Sequence, residues 1–150
     1  MLGITHLAAG AAIGALWGDR VRAPAAAVVA HGLLDIVGHD DDSVGLAGQA
    51  ILGLGGVAAL ALAHGPASPV TTAGLAGAAP DAEVVVWMLR GRRGVLAFPS
   101  HWQRRGRAGE HPWQIPGRKV PVLAEIAVSL AILGVLCWAP PARRPRRTPG

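Results

Sequence analysis

The sequence predicts an all-α fold: an integral membrane bundle of four to five helical segments, the fourth of them broken near Pro80. Three observations carry this expectation. Of 150 residues, 51% are hydrophobic and only 15% charged, where a soluble domain carries about a quarter charged residues. There is no Tyr and a single Phe, yet Trp17, Trp87, Trp102, Trp113 and Trp138 each fall at or beyond the end of an apolar run, where indoles line a bilayer interface. No Lys or Arg lies between Ala23 and Leu89, and the basic residues flank the apolar runs instead.

The segments follow in order. Residues 1–17 are rich in Ala and Gly; no basic stretch precedes them and Asp19, Arg20 and Arg22 follow, so the expectation is a retained helix and not a cleaved signal. Gly10 and Gly14 form a GxxxG pair suited to close helix contact, and such small-residue faces also suit self-association into a homo-oligomer. Residues 23–38 contain His31 and Asp35. An Asp at mid-helix costs about 3 kcal/mol on insertion, roughly what the six Val, Leu and Ile side chains of this segment return. It therefore inserts only with partners, its polar face turned into the bundle.

Residues 44–63 and 120–138 are the strongest spans, the first about 20 residues without a charge, enough to cross a hydrocarbon core of ~30 Å. Pro121 sits in the first turn of the last span and Glu125 near one end. Residues 70–89 are interrupted by Pro80, Asp81 and Glu83. Proline at a first helical position followed by acids marks a helix start, so a break near Ala79 is expected, with a half-span helix over 80–89. Residues 91–118 read as a long Arg-, Gly- and Pro-rich loop on the membrane surface. The domain is thus a single unit over 1–139, and the basic, proline-rich residues 140–150 form a disordered tail.

Net charge is +5 and the isoelectric point about 11.3, which would suit nucleic acid. The placement of the charges beside apolar runs suits membrane lipids with anionic headgroups instead, and no nucleic-acid partner is expected. The expected location is the inner (plasma) membrane, crossed several times. Six basic residues against eight on the two sides leave the orientation undecided. The same alternation brings His6, the 35–39 end of segment two, the Asp81 region and the long loop to one side. A single cysteine, Cys137, excludes an internal disulfide and a multi-cysteine metal site. No GxSxG elbow, phosphate-binding loop or dinucleotide fingerprint occurs.

Two motifs carry chemistry. In His31-Gly-Leu-Leu-Asp35-Ile-Val-Gly-His39 the polar residues recur every four positions, one stripe of a helix. Imidazole and carboxylate together suit Zn first, and also Mn or Fe. In Gly77-Ala-Ala-Pro80-Asp81-Ala-Glu83 two carboxylates sit beside a helix break, able to ligate a metal or take a proton. His101 and His111 lie in the Arg- and Trp-rich loop, where they read as interfacial anchors, and Arg104, Arg105 and Arg107 are placed to hold an anionic headgroup.

With Thr5-His6 in the first helix, these motifs resemble a family of small bacterial inner-membrane proteins called membrane-bound metal-dependent hydrolases. The resemblance covers about residues 1–90, with a looser echo at Ser100-His101. It implies a multi-helix membrane fold and a divalent metal held by His6, His31, Asp35, His39 and Asp81. Where that family has Pro-Asp-x-Asp-His, this chain has Pro80-Asp81-Ala82-Glu83-Val84. The expected function is metal-dependent hydrolysis of a lipid or membrane-near (phospho)ester, with Glu83 as general base. The alternative is a non-enzymatic scaffold or small carrier in which the His/Asp pair relays protons or joins helices.

Overall fold

A computed structural model describes residues 2–37, 44–91, 93–94, 96–101, 115 and 119–138. Among these the chain is all-helical: α1 Gly3–Trp17, α2 Arg22–Leu34, α3 Gly45–His64, α4 Pro69–Ala78, α5 Asp81–Leu89 and α6 Val122–Trp138, with a 3-10 turn at Pro99–His101. Each expected segment has its helix, and the fourth is divided into α4 and α5. His39, the acidic run after it, Arg104, Arg105, Arg107, His111 and the basic tail lie outside the described residues.

Local chemistry sets the helix ends. Gly18 closes α1 in the left-handed region (φ 63°), its N–H on the Gly14 carbonyl, a conformation glycine adopts without steric penalty. The Asp19 carboxylate then accepts from the backbone N–H groups of Val21 and Arg22 at 2.8 and 2.6 Å and opens α2. These bonds hold Asp19 below the usual carboxylate range. Ser68 caps α4 by accepting from Thr71 N–H at 3.1 Å, with Pro69 in the first turn.

At Pro80 the helical ladder is interrupted, because proline has no N–H to donate and its ring crowds the preceding turn. The chain stays in helical dihedrals there, but the next bonds are short-range turns, Ala82 N–H to Ala79 and Glu83 N–H to Pro80, the tighter 3-10 pattern. The break is therefore a kink. Helix α2 ends earlier than expected, at Leu34, and Ile36 and Val37 close i to i+3 turns on Leu33 and Leu34.

Helix α1 is the centre of the bundle, packed on α2, α3, α4 and α6. Its seam with α4 is made by glycine. A Cβ on Gly10 or Gly14 would strike the carbonyls of Ala73 or Pro69, and one on Gly77 would lie 2.5 Å from the His6 carbonyl oxygen. The GxxxG pair thus brings two helices of the same chain into backbone contact. Leu2, Ile4, Leu7, Ala8 and Ala11 of this region form one core with Leu60, Val70 and Leu133.

The start of α1 is held by α6. Buried Glu125 accepts from Leu2 N–H at 2.6 Å and from the Thr5 hydroxyl at 2.8 Å, satisfying an orphan donor at a helix N-terminus with a favourable negative charge. At the other end, His64 Nε2 lies 2.9 Å from the Leu136 carbonyl oxygen and joins the ends of α3 and α6. These contacts make α1, α3 and α6 run one way. The pairing of Gly10 with Ala73, Gly14 with Pro69 and His6 with Gly77 makes α4 run the other way.

One described helix is long and apolar enough to cross a membrane: α3, 20 residues with a mean hydropathy of 1.9 and only 11% of that stretch buried. Helices α1 and α6 are apolar but shorter. Exposed large apolar side chains cover the outside, among them Ile51, Leu54 and Leu62 of α3 and Leu123, Val128 and Val135 of α6.

Candidate metal centre

The polar side chains converge at the end of the bundle where α1 begins, α2 ends and α5 begins. His6 comes from the second turn of α1, His31 from the last turn of α2 and Asp35 from its C-cap. Asp81 comes from the first residue of α5, and His101 from the 3-10 turn. His6, His31, Asp35 and His101 are each 1–2% exposed. Glycine again permits the approach: Gly77 lets the His6 and His31 rings stack with centroids 3.7 Å apart.

Asp35 is the hub. Its Oδ1 lies 3.1 Å from His6 Nε2. Its Oδ2 accepts from Ser100 Oγ at 2.5 Å and lies 3.2 Å from His31 Nε2 and 3.6 Å from His101 Nε2. Asp81 Oδ1 lies 3.9 Å from His31 Nε2 and 3.7 Å from His101 Nε2. Neither nitrogen of His6 has a well-aligned hydrogen-bond partner among the described residues, although the ring is buried.

The hydrogen-bond network assigns the tautomers. His31 Nδ1 lies 2.8 Å from the Gly77 carbonyl oxygen, which can only accept, so Nδ1 carries the proton. His101 Nδ1 lies 2.8 Å from Glu83 Oε1. That carboxylate also accepts from the N–H groups of Ala97 and Phe98 at 2.6 and 2.8 Å, so the His101 proton is on Nδ1 as well. Burial lowers the His101 pKa and favours the neutral ring, with Glu83 opposing. The two Nε2 atoms face each other 3.0 Å apart, with room for at most one proton between them. With both rings neutral, two lone pairs at that distance beside two carboxylates repel, and a cation among them, a proton or a metal ion, relieves the repulsion.

The donor set fits a divalent metal. Two groups, His6/His31/Asp35 and His31/Asp81/His101, each have donor atoms within 4.8 Å of one another. Bond lengths of about 2.0–2.2 Å space the donors around a tetrahedral ion by roughly 3.3–3.6 Å, inside the 3.0–3.9 Å range seen here. Each of the two facing imidazoles also gives its remaining N–H to a carbonyl or carboxylate, the usual support of a ligating histidine.

Four of the five expected ligands, His6, His31, Asp35 and Asp81, are brought together; the fifth, His39, lies outside the described residues. Glu83 stands beside the group with both oxygens engaged. Sequence reasoning assigned His101 to the membrane surface, yet it enters the cluster with Ser100, both at most 4% exposed. The faint Ser100-His101 echo was the one signal for them. Accessibility is graded: Asp81 and Glu83 side chains are 24% and 25% exposed, so the cluster opens toward α5. There a cleft of about 360 Å³ is lined by Glu83, Val86, Trp87, Arg90, Arg93 and Leu96. No family model matches the chain, and neither a curated protein nor a solved structure matches it.

Proposed function

We propose that this chain is a membrane-embedded, metal-dependent hydrolase acting on a lipid or membrane-near (phospho)ester. One observation carries the proposal: the Nε2 atoms of His31 and His101 lie 3.0 Å apart, each within 3.9 Å of carboxylate oxygens of both Asp35 and Asp81. Placement in a membrane is supported by α3, whose long apolar surface is left outside the core, as a lipid-facing helix would leave it.

His31, common to both groups, would hold the ion with donors drawn from His6, Asp35, Asp81 and His101, Zn before Mn or Fe for a mixed nitrogen and oxygen set. A divalent ion supplies Lewis-acid activation of water and of the ester. Gly77 and Glu83 orient the two facing imidazoles, and Ser100 orients Asp35 by donating to Oδ2. The aligned burial of His6, His31 and Asp35 excludes bulk water from the floor, so ester and water enter from the α5 side. Arg90 and Arg93, with Trp87 in the same cleft, are placed for an anionic headgroup.

Elemental mass spectrometry of the detergent-purified chain tests this, wild type beside Asp35→Asn. The expected result is about one Zn, Mn or Fe per wild-type chain and none in the variant. The loaded protein should cleave bis(p-nitrophenyl) phosphate or phosphatidylglycerol in vesicles, and lose that activity with a chelator. No metal in either protein after incubation with each divalent ion overturns the proposal; the cation between the histidines is then a proton, as in the carrier alternative.

A further inference from the structure

Residues 96–101 reach the cluster as a strap. Leu96 is buried, and His101 N–H closes the 3-10 turn on the Phe98 carbonyl at 3.0 Å. The Phe98 ring meets His31 edge-on, with centroids 5.0 Å apart, and lies against Gly32. Ser100 reaches Asp35 and His101 reaches His31. The strap is anchored to α5 through Glu83, which takes Ala97 N–H on Oε2 and both Phe98 N–H and His101 Nδ1–H on Oε1.

Three donors on one carboxylate leave little basicity for taking a proton from substrate. Glu83 lies in the first turn of α5, where acids ordinarily serve the helix dipole, but its oxygens are spent across 14–18 residues of sequence on the strap. We infer that Glu83 is a positioning residue: it latches residues 96–101 onto α5, sets the His101 tautomer, and thereby couples docking of the strap to loading of the metal. The inference rests on the metal reading above and replaces the general-base role expected for Glu83. Linkage makes the coupling reciprocal: the factor by which the docked strap tightens the ion is the factor by which the ion tightens the strap. Partners of ligating histidines are typically worth 10–100-fold in metal affinity.

The test uses the full chain in detergent, with Zn(II) as the probe. Zn(II) affinity and hydrogen exchange at the Ala97 and Phe98 amides are measured in wild type, Glu83→Gln and Glu83→Ala, with helical content checked by circular dichroism. Zn(II) should slow exchange of these two amides about 10–100-fold in wild type. Glu83→Ala should lose affinity by about the same factor and exchange them freely, while Glu83→Gln, which keeps one acceptor oxygen, should fall between. Unchanged affinity in Glu83→Ala, or wild-type amides indifferent to Zn(II), overturns the inference. If wild type binds no metal, the metal reading and the coupling fail together. The latch is then judged separately by metal-free exchange, and equal rates in wild type and Glu83→Ala overturn it too.

Discussion

Neighbouring residues of α1, Thr5 and His6, lead to two different buried carboxylates, Glu125 and Asp35. Around Glu125 the partners are a backbone N–H, the Thr5 hydroxyl and, beside them, Ser129, whose hydroxyl donates to the Glu125 carbonyl at 2.8 Å. Both donors to the carboxylate are neutral groups and reach Oε1, while Oε2 is buried without a hydrogen-bond partner among the described residues. The carboxylate acts as a brace between α6 and the start of α1. Around Asp35 stand three imidazoles, two of them with Nε2 atoms that face each other 3.0 Å apart. A buried carboxylate alone does not make a site. What sets Asp35 apart is the donor set: three imidazoles and a second carboxylate, Asp81, converge there, a combination suited to a cation.

The comparison can be broken in several places. The largest effect should come from Asp35→Asn, which removes the carboxylate charge that His6, His31 and His101 all face: retained metal should drop to background, read by elemental analysis. Gly77→Ala comes next. Its methyl group meets the His6 carbonyl, so overpacking should destabilise the chain by about 1–3 kcal/mol, and the displaced His6 and His31 should lower metal retention with it. Glu125→Ala should cost a similar or smaller amount, about 1–3 kcal/mol, by leaving Leu2 N–H and the Thr5 hydroxyl without their acceptor. It should leave metal content at the wild-type level; loss of metal in this variant would erase the distinction between the two carboxylates. The smallest effect is expected from Thr5→Val, about 1 kcal/mol for one hydrogen bond, seen as a lower unfolding midpoint in detergent with metal unchanged.

Much of the fold was legible because its signals are local. The charge-free run at 44–63 became α3, Gly45–His64, and the proline with two acids became the division between α4 and α5. His6, Asp35, Asp81 and His101 of the long loop meet at one end of the bundle. The surface position given to that loop did not hold for residues 100 and 101. In an Arg- and Gly-rich stretch they carry no periodicity, and their burial depends on Glu83 gripping the strap from another element. Glu125 was read only as a polar residue near the end of a span, since its partners lie 120 or more positions away.

By itself the sequence determined the helical segments, the kink at Pro80 and the supply of histidine, aspartate and glycine, because hydropathy, capping and the missing proline N–H act within a few residues of each position. The tertiary structure alone decided which histidines meet, that the Gly10 and Gly14 face is consumed within the chain, and that Glu83 serves His101. Those outcomes turn on how closely α1 can approach α4 and on contacts such as His31 with His101, 70 positions apart, and distance along the chain carries no record of them.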